Sequence, residues 1–125
     1  FRSIAARYLH ELSGGERQRV LLARLLAVQA DILLMDEPIA NLDPPHQADW
    51  LNWQTELLAQ GKTLVTVLHD IQYALRANHI VMLKQGHLHY EGASEDPATH
   101  QALIALFEGR IRLEKLGNHW VSLPA

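Results

Sequence analysis

Apolar and polar positions along the chain follow two periods, one helical and one extended. Over residues 14–29 apolar side chains return at helical spacing, with Val20, Leu21, Leu25 and Val28 near one face. Residues 4–12 carry the same spacing more weakly through Ile4, Tyr8, Leu9 and Leu12, and Ser13-Gly14-Gly15 interrupts it. A short unbroken apolar run follows at residues 32–35, introduced by Asp31 and closed by Asp36-Glu37-Pro38. Such a run predicts a strand buried on both faces, as in parallel sheets. Leu42-Asp43-Pro44-Pro45 reads as a turn that starts a helix over residues 46–59, and Gly61 reads as its C-cap. The β-branched run at residues 63–68 predicts a second buried strand, closed by His69-Asp70 and followed by a short helix through Leu75.

The second half turns to hairpins. Residues 80–83 predict a third strand, and Lys84-Gln85-Gly86 turns the chain into residues 87–91. Asp96-Pro97 opens a helix to about Phe107, with proline in its first turn. Residues 110–115 and 119–123 flank Leu116-Gly117-Asn118 and predict a last hairpin. Strands alternating with helices argue for an α/β layered fold.

Composition narrows the function classes. The 125 residues, 48% apolar and 20% charged, match an ordinary globular domain. A net charge of -3 offers no footprint for nucleic acid. The basic set Arg17, Arg19 and Arg24 reads as the solvated face of the first helix and is too sparse for DNA binding. Cysteine is absent, which excludes disulfides and thiolate metal sites. No apolar run approaches the ~20 residues of a membrane span, and no secretory signal is visible at Phe1-Arg2-Ser3-Ile4.

Three places could carry chemistry. Asp36-Glu37 lies where α/β sheets take their ligands, beyond the carboxyl end of a strand. Neighbours in a strand point to opposite faces, so both carboxylates reach one ligand only if the chain leaves the strand there. Pro38 favours that exit because it cannot continue the ladder. In phosphoryl transfer one such acid holds Mg²⁺ and another orients the attacking water. The plainer reading is a polar loop after a strand. Ser13-Gly14-Gly15-Glu16 places glycines and a hydroxyl at a helix start, where backbone N–H groups and the dipole favour an anion. The same four residues also read as a plain capping box. His69 closes the second strand, and so shares the edge of Asp36-Glu37 if the two strands are parallel neighbours; a lone histidine is more often structural.

Other features carry less. Gly61-Lys62-Thr63 resembles the end of a phosphate-binding loop, G-x-x-x-x-G-K-[ST], but Glu56 stands where the first glycine belongs. It also follows a helix and opens a strand, the reverse of such a loop. No other segment of the chain matches that motif. Among eight histidines, His87 and His89 are expected to share a strand face, without a third ligand. Trp50 and Trp53 lie one helical turn apart and read as packing residues.

Taken together, the motifs resemble a known family. Leu12-Ser13-Gly14-Gly15-Glu16, Gln18-Arg19, Ile32-Leu33-Leu34-Met35-Asp36-Glu37-Pro38, Asn41-Leu42-Asp43 and His69-Asp70 are similar, in order and spacing, to the ATP-binding subunits of ABC transporters. The first group resembles the ABC signature, Asp36 the end of a Walker B strand, Asn41-Leu42-Asp43 the D-loop and His69 the switch histidine. The resemblance is specific through Gly92 and loose over residues 93–125.

The resemblance implies an α/β fold: a partial P-loop NTPase (RecA-like) core of parallel strands with flanking helices, plus C-terminal β-hairpins. It divides the chain into the end of a helical subdomain with the signature (1–30), the Walker B, D-loop and H-switch part of the core (31–92) and a tail (93–125). It implies ATP and Mg²⁺ as cofactors. Asp36 is the expected Mg²⁺ ligand, and Glu37 the general base or water-positioner. His69 is expected on the γ-phosphate. Ser13, Gly14, Gly15 and Glu16 are expected at the γ-phosphate held by a second ATPase subunit, in a homodimer. Asp43 is expected to communicate across that interface. Transmembrane permease subunits are the further partners, at the cytoplasmic face of the inner membrane, without nucleic acid.

The tail, with Leu103, Leu106, Phe107 and Gly109, resembles that of subunits serving iron-siderophore, haem or cobalamin uptake. Two positions depart from the family pattern: Glu16 stands where Gln is commonest, and Ile39 replaces a small hydroxyl residue. In the family the phosphate loop, the adenine-stacking aromatic and the Gln loop precede the signature. The chain therefore reads as a C-terminal fragment, inactive alone, with a sheet edge and an apolar face left open. It is expected to dimerise, swap elements or rearrange. Two other readings stay open: a soluble ABC ATPase of DNA maintenance, and a non-catalytic truncated module competing for the permease or for dimer partners.

Overall fold

The run of β-branched and aliphatic residues around Leu33 and Leu64 becomes a parallel pair in the computed structural model, which describes residues 14–125. Strand β1 (Ile32–Asp36) pairs with β2 (Thr63–Val67), from Ile32 opposite Thr63 to Asp36 opposite Val67. Ahead of β1 runs α1 (Gly14–Ala27), and between the strands lies the crossover helix α2 (Pro44–Ala59). These elements form a first unit, Phe1–Val67. The helix pattern over residues 4–12 falls outside the described residues.

Local chemistry fixes the boundaries. α1 ends two residues before the expected Gln29, which takes a left-handed φ of 58° and donates its N–H to Leu26 O at 3.1 Å. α2 begins at Pro44 rather than His46, because a proline at the first helical position has its φ preset and gives up no hydrogen bond. The C-cap is Gln60, with Gly61 one residue beyond at φ +82°. Gly61 N donates to Leu58 O and Lys62 N to Leu57 O, a Schellman closure that needs the left-handed glycine. α2 packs on β2, and Leu22, Leu33, Ile39, Trp50 and Leu57 are buried in this unit.

β1 departs from the expected burial on both faces. Leu33 is 2% exposed, yet Ile32 and Leu34, on the opposite face, are 61% and 72% exposed. On the same face of β2, Val65, the partner of Leu34, and Val67 are exposed too. Among the described residues, one face of the parallel pair is covered and the other is exposed.

The second unit is Leu68–Ala125. After the short α3 (Ile71–Ala74) come β3 (His79–Lys84) and β4 (His87–Ala93), an antiparallel hairpin. Its two-residue turn, Gln85-Gly86, has φ of 51° and 79°, the signature of a type I′ turn. The register shifts between Met82 and Leu83, so His89 falls at the irregularity. His89 Nε2 meets Ala102 O at 3.2 Å instead of joining His87 in a metal pair.

Helix α4 (Pro97–Leu106) follows, N-capped by Asp96 through Ala98 N at 2.9 Å. The last hairpin is β5 (Ile111–Leu116) with β6 (His119–Pro124). Leu75, Ile80, Met82 and Leu103 form the core, flanked by Ile71, Tyr90, Leu106, Ile111, Leu113 and Trp120. His100 is buried on α4, its Nε2 2.7 Å from Ser94 O and its ring edge-on to Trp120 at 4.5 Å. No helix among the described residues is long and apolar enough to cross a membrane.

Candidate functional site

The acids at the end of β1 sit on a backbone that changes course between them. Asp36 is the last strand residue, paired with Val67 and exposed. Glu37 extends the ladder by one bond, its N–H donating to Val67 O at 2.9 Å, but its φ is +50°. A left-handed residue other than glycine costs about 1–2 kcal/mol, so the surroundings must hold it there. The chain thus leaves the strand at Glu37, as the Asp-Glu-Pro order predicts. Glu37 is half-buried and its Oε1 is shielded from solvent, whereas Asp36 faces outward. Strained backbone held by its context is a pointer to function.

The loop beyond is built from two successive turns. Ala40 N donates to Glu37 O and Leu42 N to Ile39 O, both at 3.2 Å, and Asn41 takes a second left-handed φ of 64°. Pro38 and Ile39 are buried and anchor the loop to the core. Asp43 then caps α2: its Oδ1 accepts from His46 N at 3.2 Å and is in contact with His46 Nδ1. The side-chain bond from His46, followed by the backbone N–H of His46, holds the Asp43 carboxyl below its ordinary value. Gln47 Nε2 donates to Leu42 O at 3.0 Å and completes the brace. A sequence signal for this cap exists in hindsight: an aspartate before Pro-Pro with a histidine three residues on.

The remaining predicted residues fall as follows. Ser13 lies outside the described residues, while Gly14, Gly15 and Glu16 form the first turn of α1. Arg19 is not merely a solvated residue, since its Nη2 lies 3.1 Å from Asp49 Oδ2 and ties α1 to α2. His69 belongs to the second unit, two residues beyond β2, is exposed, and precedes Asp70, the N-cap of α3.

Among the described residues no group of three or more His, Asp or Glu could cage a metal ion. Asp36, an exposed carboxylate at a strand end, nevertheless suits Mg²⁺, which is commonly held by one or two carboxylates with waters and substrate phosphates rather than by an all-protein cage.

A parallel βαβ pair ending in these acids, followed by hairpins, is part of a P-loop NTPase-like α/β core. The profile of the ABC transporter family matches residues 2–40. The chain is 41% identical over 109 residues to the cobalamin import ATP-binding protein BtuD of Halobacterium salinarum, covering 86% of this chain and 27% of that protein. It is 36% identical over 124 residues to the hemin import ATP-binding protein HmuV of Rhizobium meliloti, covering 92% and 47%. It is also similar to the solved dimeric structure of MJ0796, a bacterial ABC transporter cassette, with TM-score 0.65, 34% identity and coverage of 72% and 39%. The chain belongs to the ABC transporter family, and the relatives it matches are ATP-binding subunits. It spans about half, or less, of the length of these relatives.

Proposed function

We propose that the chain is part of the ATP-binding and ATP-hydrolysing subunit of an ABC importer, which energises uptake of a substrate through a membrane permease. The observation that carries this reading is the exit from β1. Two successive carboxylates stand at the carboxyl end of a parallel strand, and the second sits on a left-handed backbone still bonded to the neighbouring strand. Phosphoryl transfer asks for positioning and charge stabilisation more than covalent chemistry, and two acids suffice for the metal and the water. Asp36 is the Mg²⁺ ligand. The bound ion supplies neutralisation of phosphate charge. Glu37, more buried than Asp36, orients the attacking water or takes its proton. His69 donates to the γ-phosphate.

By the same reading, Ser13, Gly14, Gly15 and Glu16 meet the γ-phosphate of nucleotide held by a second ATPase subunit, and Asp43 relays across that interface. The dimeric form of the similar cassette supports a dimer. Residues 1–30 then close the helical subdomain, 31–92 belong to the ATPase core and 93–125 form the tail. The cobalamin and hemin importers among the relatives support a substrate of the iron-siderophore, haem or cobalamin class. They also support a peripheral address at the cytoplasmic membrane face.

Calorimetric titration with ATP and Mg²⁺, with phosphate release measured in the same sample, tests the reading. No segment of the 125 residues matches a phosphate-binding loop. The chain alone is therefore expected to bind ATP no tighter than about millimolar, an affinity near 4 kcal/mol, without turnover. In the intact subunit Glu37→Gln is expected to keep ATP binding and lower turnover about 10²–10⁴-fold. Micromolar binding with turnover by the chain alone overturns the fragment reading. Undiminished turnover in the Glu37 variant overturns the assigned role.

A further inference from the structure

Gln72 links two segments that lie far apart in sequence. Its backbone N–H is used locally, donated to Asp70 Oδ1 at 2.9 Å in the cap of α3. Its side-chain amide reaches the last strand instead. Gln72 Nε2 donates to Ser122 O at 2.8 Å, and Ser122 N donates to Gln72 Oε1 at 3.0 Å.

The two bonds reproduce what a neighbouring strand would offer. Among the described residues β6 pairs with β5 alone, so its outer edge presents N–H and C=O groups that no strand takes up. Ser122 turns both of its backbone groups to Gln72, and one planar amide satisfies them as a single residue of an added strand would. Ile71, Leu113 and Trp120 all pack against the buried cluster of Leu75, Ile80, Met82 and Leu103, which brings α3 and the hairpin onto one core. Such contacts are non-directional. The amide pair is directional and fixes which residue of β6 faces the start of α3.

That start, Ile71, is two residues beyond His69, and Gln72 three. We infer that Gln72 is a positioning residue: through its paired bonds to Ser122 it lets the C-terminal hairpin set the placement of the His69-Asp70 segment. The inference rests on the γ-phosphate role given to His69 above. It follows that changes in the hairpin reach the His69 step without touching nucleotide.

The test uses the 125-residue chain and nuclear magnetic resonance, following the His69 imidazole signals, the amides of Asp70–Gln72 and hydrogen exchange at Ser122. Three variants are compared with wild type: Gln72→Ala, Gln72→Glu and Ser122→Pro. Proline is tolerated on an edge strand where the N–H points away from the ladder, so Ser122→Pro removes the bond from the other side. Wild type is expected to protect the Ser122 amide, and Gln72→Ala to reduce that protection about tenfold, as for one lost hydrogen bond. Gln72→Ala and Ser122→Pro should displace the His69 signals in the same direction, with no further change in the double variant. Gln72→Glu keeps the acceptor but sets a carboxylate oxygen against the Ser122 carbonyl, and should perturb His69 likewise.

An unprotected Ser122 amide in wild type overturns the inference. So do unmoved His69 signals in Gln72→Ala when Ser122 exchange has accelerated. Should Ser122→Pro not fold, the exposed Gln72 variants still decide. The ATPase reading fails separately: His69→Ala with full turnover in the intact subunit removes the role of His69 and leaves the coupling standing.

Discussion

Adding one methyl group at Gly92 should destabilise the second unit, although glycine to alanine within a strand ordinarily stabilises by about 0.5–1 kcal/mol. Gly92 lies on β4 under α4, and its φ is not left-handed, so nothing in the backbone requires glycine there. The space does. A Cβ at this position stands 2.5 Å from Thr99 Oγ1, 3.0 Å from Tyr90 Cε1 and 3.3 Å from the Tyr90 hydroxyl. The first distance is 0.9 Å short of the 3.4 Å at which ordinary contact begins. Thr99 is 0% exposed and lies next to buried His100, so it cannot swing aside and α4 must lift from the sheet. Overpacking of this kind costs about 1–3 kcal/mol, or roughly 4–12 °C in Tm for a domain of this size. Thr99 Oγ1 is buried without a hydrogen-bond partner among the described residues, so Thr99→Ala removes the clash at little cost in hydrogen bonding. The double variant should therefore recover most of the loss, a coupling visible in a urea denaturation cycle with constant m-values. A Gly92→Ala chain as stable as wild type, or one that Thr99→Ala fails to rescue, refutes the argument.

Asn41→Val should lose about 1–2 kcal/mol, since a β-branched residue is poorly accommodated at φ 64°, while Asn41→Gly should be near neutral; equal melting of the two variants would remove backbone conformation as the cause. The lowered carboxyl of Asp43 gives a pH signature. Its contribution is fully present above the unfolded value, about 3.9, and is lost as pH falls through the lower folded value. The stability difference between wild type and Asp43→Asn should thus shrink in acid, and a difference independent of pH from 2 to 6 would count against the His46 contact. The bare β1–β2 face, with Ile32, Leu34, Val65 and Val67 exposed, predicts self-association of the chain that Leu34→Lys weakens. A monomer mass by gel filtration at all concentrations would dispose of that expectation.

Much of the fold could be read from local pattern, because the chemistry concerned is local. The apolar runs of β1 and β2, the Gln85-Gly86 and Gly117-Asn118 turns and the Asp96-Pro97 helix start all rest on residues a few positions apart. The burial of β1 departs from the pattern for the opposite reason. An apolar run states what a strand suits, and Ile32 and Leu34 suit a covered face. Whether that face is covered depends on residues elsewhere. The same limit hid Arg19–Asp49 and Gln72–Ser122, pairs separated by 30 and 50 positions. Asp36 and Glu37 were legible as candidates from their order before Pro38. The left-handed turn that distinguishes their surroundings appears only with the backbone in place.

The loop from Glu37 to Asp43 shows how that strain is maintained. Two residues other than glycine stand in left-handed conformations: Asn41, which the region accommodates, and Glu37, at about 1–2 kcal/mol. Between them Ile39 is 6% exposed, and burying such a side chain contributes about 1.5–3 kcal/mol. The terms are of like size, so the loop is held by the core beneath it rather than by its own preferences. Ile39 is also where the chain departs from the small hydroxyl residue usual after Glu-Pro. A small polar residue there would surrender much of the anchor, leaving more of the turn to buried Pro38, the Glu37 N–H bond to Val67 and the Asp43 cap. In this chain, then, the placement of the proposed catalytic Glu37 and of the proposed interface aspartate rests on buried Pro38 and Ile39, side chains that take no part in the chemistry.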